Sequence, residues 1–227
     1  MKMSHPGPPS TWLHGAHIAT VVSVVDPDGR SRVQVQGMGA DADGSALLWA
    51  RVAVPFAGNN RGAFLIPDVG DEVLVLFVGG DPRFPVVAGA LWNGRTSVPE
   101  TIGGDRVDRW SLTGRNGTRI AIVEAASGQE KVEIETPNGV KATLTDASGG
   151  SITLDTGSGS SVTADTSGVS IQTSGTVSVQ ASSATITAGE VSVDAAMSTF
   201  SGAIQCQTLI ATSVISASYT PGAGNIW

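Results

Sequence analysis

The sequence predicts an all-β chain, a five-stranded N-terminal barrel followed by a shaft of very short strands, and three observations carry that prediction. In the second half, apolar residues come in pairs one position apart: Ile120/Ile122, Val132/Ile134, Ile152/Leu154, Val162/Ala164, Val169/Ile171, Val177/Val179, Ala184/Ile186 and Val191/Val193. From Ile152 onward these pairs recur about every 7–10 residues, the register of a repeat architecture. In the first half, alternating β-branched runs are separated by Pro/Gly/Asp turn chemistry, and neither half shows a helical period.

Residues 1–17 are rich in Pro, Gly and His, with Trp12 and Leu13 as the large apolar pair, and read as an extended arm or a leader. Residues 18–95 read as the barrel. Ile18–Val25 alternates and is ended by Asp26-Pro27-Asp28-Gly29, where Pro fixes φ and Gly supplies a positive φ. Arg32–Gly37 alternates next, so the two runs form a hairpin. Leu47–Val54 is a third strand stopped by Pro55, Gly70–Val78 a nearly continuous apolar fourth, and Pro85–Leu91 a fifth. Five short strands with a turn after each suit the OB-fold barrel. Residues 96–118 carry Pro, Gly and mixed charge and read as a linker, with Asn116-Gly117 as a hairpin signal before the first rung.

Residues 119–215 form the shaft. Within each rung, hydroxyl or polar residues alternate with β-branched ones, as in Ser170-Ile171-Gln172-Thr173 and Ser192-Val193-Asp194, so one set faces inward and the other faces water. An open sheet of such rungs would expose a long edge. Two closures remove it: a single-chain parallel β-helix, and an intertwined trimer in which each chain supplies one face of a triangular prism. A single-chain coil needs about three strands and 20 or more residues per turn. Here a turn follows every apolar pair, so the sequence favours the homotrimer. The inward set expected to make the trimer core is Val169, Ile171, Val177, Val179, Ile186, Val191 and Val193. Residues 216–227 close the chain, and Ile226 and Trp227 are expected to contact a separate tip-cap protein or to pack back on the last rungs.

Charge divides unevenly. Of 13 Lys+Arg and 20 Asp+Glu, only Lys131 and Lys141 among the basic residues lie beyond position 119, so the formal charge of −7 sits in the second half. A phosphate-binding surface needs Lys or Arg to displace counterions, which argues against a nucleic-acid partner. The single cysteine, Cys206, excludes an intrachain disulfide and reads as a buried thiol. The N-terminal residues lack the apolar core of a secretory signal, so synthesis in the host cytoplasm is expected.

The stretch from Pro55 to Phe77, with Pro67-Asp68-Val69-Gly70-Asp71-Glu72-Val73-Leu74-Val75 at its centre, runs on through Gly80-Asp81-Pro82 and Pro85-Val86-Val87-Ala88-Gly89. It resembles the OB-fold domain of the central spikes of contractile phage tails. That family is called baseplate assembly protein V in phages and the valine-glycine repeat spike protein in type VI secretion systems. Pro67 and Gly70 read as the bend into the central strand, Gly79-Gly80 as a turn needing positive φ, and Gly89 as a point of close strand approach. The resemblance implies a homotrimer in a virion tail baseplate or assembled particle. Its partners would be the baseplate hub, the tail tube proteins, a PAAR-like tip cap and the target cell envelope. Some relatives insert a lysozyme domain between barrel and needle; Thr96–Arg119 is far too short for one. The His-x-His iron tip of short phage spikes has no counterpart, because no His follows His17.

The remaining chemistry is sparse. His14 and His17 have i, i+3 spacing but no accompanying cysteine, and read as solvated or interface residues. Asp155, Asp165 and Asp194 lie on rungs or turns without the calcium nonapeptide pattern, and read as an outer face. No catalytic residue, cofactor or metal is assigned. The expected function is mechanical: a structural spike that plugs the hub and pierces an envelope when the sheath contracts. The alternatives are a β-helical tailspike depolymerase, whose two carboxylates would flank a sugar, and an OB-fold nucleic-acid binder. The shaft's lack of aromatic platforms disfavours the first, and eight acids before Leu91 disfavour the second.

Overall fold

The computed structural model describes residues 13–37 and 47–218. The arm before Leu13, including Trp12, and the tip residues Ile226 and Trp227 lie outside the described residues. The chain divides into two units, one up to Thr176 and one from Val177.

The first unit begins with β1 (Ala16–Ser23), β2 (Val33–Gly37) and β3 (Leu47–Val52). A small hairpin follows, β4 (Ala57–Gly58) with β5 (Arg61–Gly62), then β6 (Glu72–Phe77) and β7 (Pro85–Leu91). Strands β1, β2, β3, β7 and β6 close into a barrel in that order. Closure depends on β1, which pairs antiparallel with both β2 and β6, and on the parallel contact of β3 with β7. The five barrel strands match the expected ones with ends shifted by one to three residues; the β4–β5 hairpin was not anticipated.

The interior is narrow and filled by Val and Ala: Ala19, Val21, Val33, Val35, Ala50, Val73, Val75 and Val87 are each at most 2% exposed. Burying each valine stabilises the barrel by about 1.5 kcal/mol or more. The continuous apolar reading of β6 resolves into alternation, with Val73 and Val75 inside and Leu74 and Leu76 outside. The β1–β2 turn is pinned by Asp26. Its carboxylate accepts hydrogen bonds from the Arg32 side chain at 2.7 and 3.1 Å and from the backbone N–H groups of Asp28, Arg30 and Arg32. The Arg32 hydrogen bond holds that carboxyl well below the usual range. The turn at Gly79 and Gly80 has φ of 65° and 83°, as expected. Gly89 is not a point of close approach. A Cβ there would meet nothing within 4 Å, and the residue instead adjoins a bulge between β6 and β7.

The segment expected as a linker over 96–118 contains a strand, β8 (Arg109–Thr113). It pairs with β9 (Arg119–Val123) across the Asn116-Gly117 turn, so the shaft begins earlier than residue 119. Then come β10 (Lys131–Glu135), β11 (Lys141–Thr145), β12 (Ser151–Asp155), β13 (Ser161–Asp165) and β14 (Gly168–Gln172). These seven strands form one antiparallel sheet in chain order. The expectation of an intertwined helix from residue 119 is therefore corrected for 109–172, where the chain pairs with itself.

The reason lies in the connectors. In three of them the first residue's N–H donates to the carbonyl four residues on: Gly114 to Thr118, Thr136 to Val140, and Thr156 to Ser160, at 2.8, 2.9 and 3.0 Å. Each contains a glycine at positive φ, Gly117, Gly139 and Gly157, which lets the chain reverse. These connectors also stack: a Cβ on Gly157 would lie 2.9 Å from the Gly139 carbonyl oxygen, at a φ of +70°. Gly157→Ala is therefore expected to cost about 1–3 kcal/mol through backbone strain and displacement of that carbonyl. A lowered melting temperature with unchanged subunit mass is the expected readout.

In the second unit, residues 177–218 contain no strand among the described residues. Their apolar side chains are exposed, from Val191 at 60% to Ile215 at 98%. Cys206, expected to be buried, is exposed in the single chain.

Candidate assembly interface

Register fixes which side chains share a face of the seven-stranded sheet. Trp110 lies opposite Ile122, then Val132, Leu144, Ile152, Ala164 and Val169 continue across the remaining strands. Beside that column runs a second: Leu112, Ile120, Ile134, Ala142, Leu154, Val162 and Ile171. The middle row on the opposite face is Ser111, Ala121, Glu133, Thr143, Thr153, Thr163 and Ser170. One face is thus a continuous apolar strip two residues wide, and the other is mostly hydroxyl and charged.

Exposure is inverted relative to a self-sufficient sheet. Nearly every residue of the apolar strip is exposed, Ile152 at 51% and Leu154 at 52%, whereas Ala121 and Glu133 on the polar face are buried. A groove of about 640 Å³ runs over the strip between Ile122, Val132, Leu144 and Ile152. A contiguous apolar surface of this extent marks an interaction site.

The polar face is covered by its own long side chains. Glu133 sits at the centre, accepting from Lys131 Nζ and Lys141 Nζ, each at 2.9 Å, and from Arg119 Nη1 at 3.1 Å. Glu100, from the segment between barrel and sheet, accepts from Arg119 Nε at 2.6 Å and lies 3.5 Å from Arg109. Burial alone would raise the Glu133 carboxyl, but hydrogen bonds and charge from Lys141 and Lys131 bring it down to about 2. The Arg119 hydrogen bond likewise holds Glu100 below its ordinary value. A further ion pair, Arg115 to Asp68 at 2.6 Å, ties the β8–β9 connector to the loop before β6. The network ties the segment before β8 to the sheet and compensates the charges on the half-buried polar face, leaving the apolar strip uncharged.

Of the core residues expected from sequence, Val169 and Ile171 end the two columns on β14, at 73% and 62% exposed. Val177, Val179, Ile186, Val191 and Val193 lie in the second unit, also exposed and outside any strand. The sequence reading missed Trp110 and Leu112, the first pair of the strip. Their apolar-polar-apolar spacing immediately before the Asn-Gly turn was the available signal. It also missed the ion network, which alternate spacing of Lys131, Glu133 and Glu135 would have placed on one face. His17, weighed as a metal ligand, packs edge-on against Phe77 with ring centroids 5.3 Å apart. Among the described residues no three of His, Cys, Asp and Glu are grouped as metal ligands.

Two family models match the chain in order. One, described as the type VI secretion system/phage-baseplate injector OB domain, covers residues 17–92, the barrel. The other, described as the phage baseplate V C-terminal trimerisation domain, covers residues 131–203 and so spans both the self-paired sheet and the strandless segment. Among curated proteins, the type VI secretion system spike protein VgrG4b of Pseudomonas aeruginosa is 34% identical over 136 residues, 56% of this chain and 15% of that protein. VgrG1c of the same organism, also a type VI secretion system spike protein, is 33% identical over 101 residues, 41% of this chain and 14% of its own length. The actin cross-linking toxin VgrG1 of Vibrio cholerae is 30% identical over 101 residues, 41% of this chain and 9% of the toxin. The chain thus spans less than a sixth of the length of each of these relatives.

Proposed function

Because this chain belongs to the phage baseplate V spike family, matched over its OB domain and its trimerisation domain, we propose that it is the homotrimeric central spike of a contractile injection machine, a phage tail or a tailocin. The observation that carries this reading is the inverted sheet, whose apolar strip is exposed while its polar face is covered. Three copies turning their strips toward a common axis would bury all fourteen positions of each strip in a dry interior, with the charged and hydroxyl faces outward.

The barrel would seat the spike on the baseplate hub and tail tube. The shaft would carry axial force into the target envelope when the sheath contracts. A dry core continuous over seven rungs, with each rung hydrogen-bonded to the next, resists shear because no rung can slip without moving its apolar pair out of register. The C-terminal residues, Ile226 and Trp227 among them, would meet a PAAR-like tip cap. The role is structural and is assigned no catalytic residue and no cofactor.

Light scattering tests this directly. A mass three times the 23.0 kDa of one chain is expected, together with resistance to SDS without boiling. A monomer in solution would overturn the reading.

A further inference from the structure

The exposed strip runs through the whole shaft, but the backbone changes character within it. Every reversal between β8 and β14 contains a residue at positive φ: Gly117, Gly128, Gly139, the Ser148–Gly150 turn, Gly157 with Gly159, and finally Gly168. Beyond Gly168 no described residue has a positive φ. The last reversal shows what a short connector needs. In Asp165-Thr166-Ser167-Gly168 the Asp165 carboxylate accepts from the N–H of Ser167 at 2.8 Å and of Gly168 at 3.2 Å, and Gly168 takes a φ of 143°. The later connectors have similar length but other chemistry. Gln180-Ala181-Ser182-Ser183, Thr187-Ala188-Gly189-Glu190 and Asp194-Ala195-Ala196-Met197 never combine the leading Asp with the closing Gly. Tight antiparallel reversals depend on such residues.

The rungs themselves continue. Val177/Val179, Ala184/Ile186 and Val191/Val193 keep the period-2 pattern of the sheet about every seven residues. They therefore have the side chains of strands but no reversal that would let neighbouring rungs of one chain pair. The outer edge of β14 is also unpaired, since β14 ends the sheet, and all five of its residues are exposed.

Resting on the trimer reading above, we propose that strand pairing passes from within one chain to between copies at residues 173–176. On the axis-distal side of β14, the strand added to its free edge is segment 177–180 of a second copy. The following rungs, through Val193, are each laid between rungs of the two neighbours. The barrel-side shaft is thus three self-paired sheets packed by side chains, and the remainder is held by hydrogen bonds between chains. The occupant is a second copy because the strip of β14 and the rungs 177–193 carry the same alternation and share one trimerisation domain.

A disulfide test separates the two pairing modes. Ser170 lies between Val169 and Ile171, and Ser178 between Val177 and Val179. Aligning the apolar columns places Ser170 across from Ser178 whether the strands run parallel or antiparallel. Directly opposed residues are about 4.5–5.5 Å apart at Cα, within disulfide range. In the full chain with Cys206→Ser, the double variant Ser170→Cys, Ser178→Cys is oxidised, boiled in SDS without reductant and sized. Cross-linking into a covalent trimer, each copy bonded to the next, is expected. The control is Thr163→Cys with Ser170→Cys, which are paired within one chain and should cross-link without change of mass. A Ser170–Ser178 variant that cross-links only within single chains, or not at all while the control oxidises, overturns the proposal. Light scattering of the same samples separates this failure from that of the trimer itself: a trimer with intrachain bonds leaves the assembly standing and removes only the change of pairing.

Discussion

Ile152→Asp is expected to abolish assembly, while Thr153→Asp one position away leaves it intact. Ile152 sits mid-strip on β12, flanked by Leu144 and Ala164, and is 51% exposed in the single chain. In the trimer its side chain would be buried, contributing about 2 kcal/mol per copy. Aspartate loses that contribution and places three carboxylates in a dry interior, at several kcal/mol per ion for desolvation alone. The combined penalty is on the order of 10 kcal/mol or more per trimer, enough to dissociate it. Thr153 lies between Thr143 and Thr163 on the opposite face, where a carboxylate stays hydrated. The measurement is solution mass of both variants. Equal behaviour would mean that the faces are misassigned. Val179→Asp should also weaken assembly, but exchange protection of the 109–172 amides should survive, because that sheet is paired within the chain.

Glu133→Ala is the second large effect, on stability rather than assembly. The substitution leaves Lys131, Lys141 and Arg119 around a site that lost its only carboxylate ligand to both lysines. Removing one partner of an enclosed ion pair costs about 3–5 kcal/mol; with both lysine side chains 36% exposed, about 2–3 kcal/mol is expected here. The same group gives a pH signature. Glu133 has its carboxyl lowered from 4.5 to about 2, so its stabilising contribution is complete above pH 4.5 and is lost as pH falls from there toward 2. Acid unfolding of the wild type should therefore be steeper across that window than that of Glu133→Gln. Because Glu100 and Asp108 are also held low by their arginines, the difference between the two proteins isolates Glu133. Identical acid slopes would mean that Glu133 does not hold its charge in the fold.

Much of the architecture was readable from the chain. The barrel strands announced themselves because each is bounded by residues with a local mechanism, Asp26-Pro27-Asp28-Gly29 and Gly79-Gly80 among them. The shaft's faces were readable because period-2 alternation is a property of the strand alone. Strand β8 was missed because Arg109–Thr113 follows a Pro/Gly-rich stretch, and one apolar pair next to such a stretch is a weak signal. The β4–β5 hairpin was missed because two-residue strands leave no period.

The sequence by itself determined that the chain is all-β, which residues of each rung are apolar, and where the chain has the glycines to reverse. Those are local properties, set by side-chain branching and by allowed φ. Only the tertiary structure decided which partner each strand takes: β3 parallel to β7 to close the barrel, β8–β14 folded on themselves, and 177–218 left without a partner in one chain. It also gathered Glu100, Arg109, Arg119, Glu133 and two lysines into one network. Alternation says which way a side chain points but not what it meets, because a partner is chosen by hydrogen-bond register between segments distant in sequence, and in this shaft some of those segments belong to other copies.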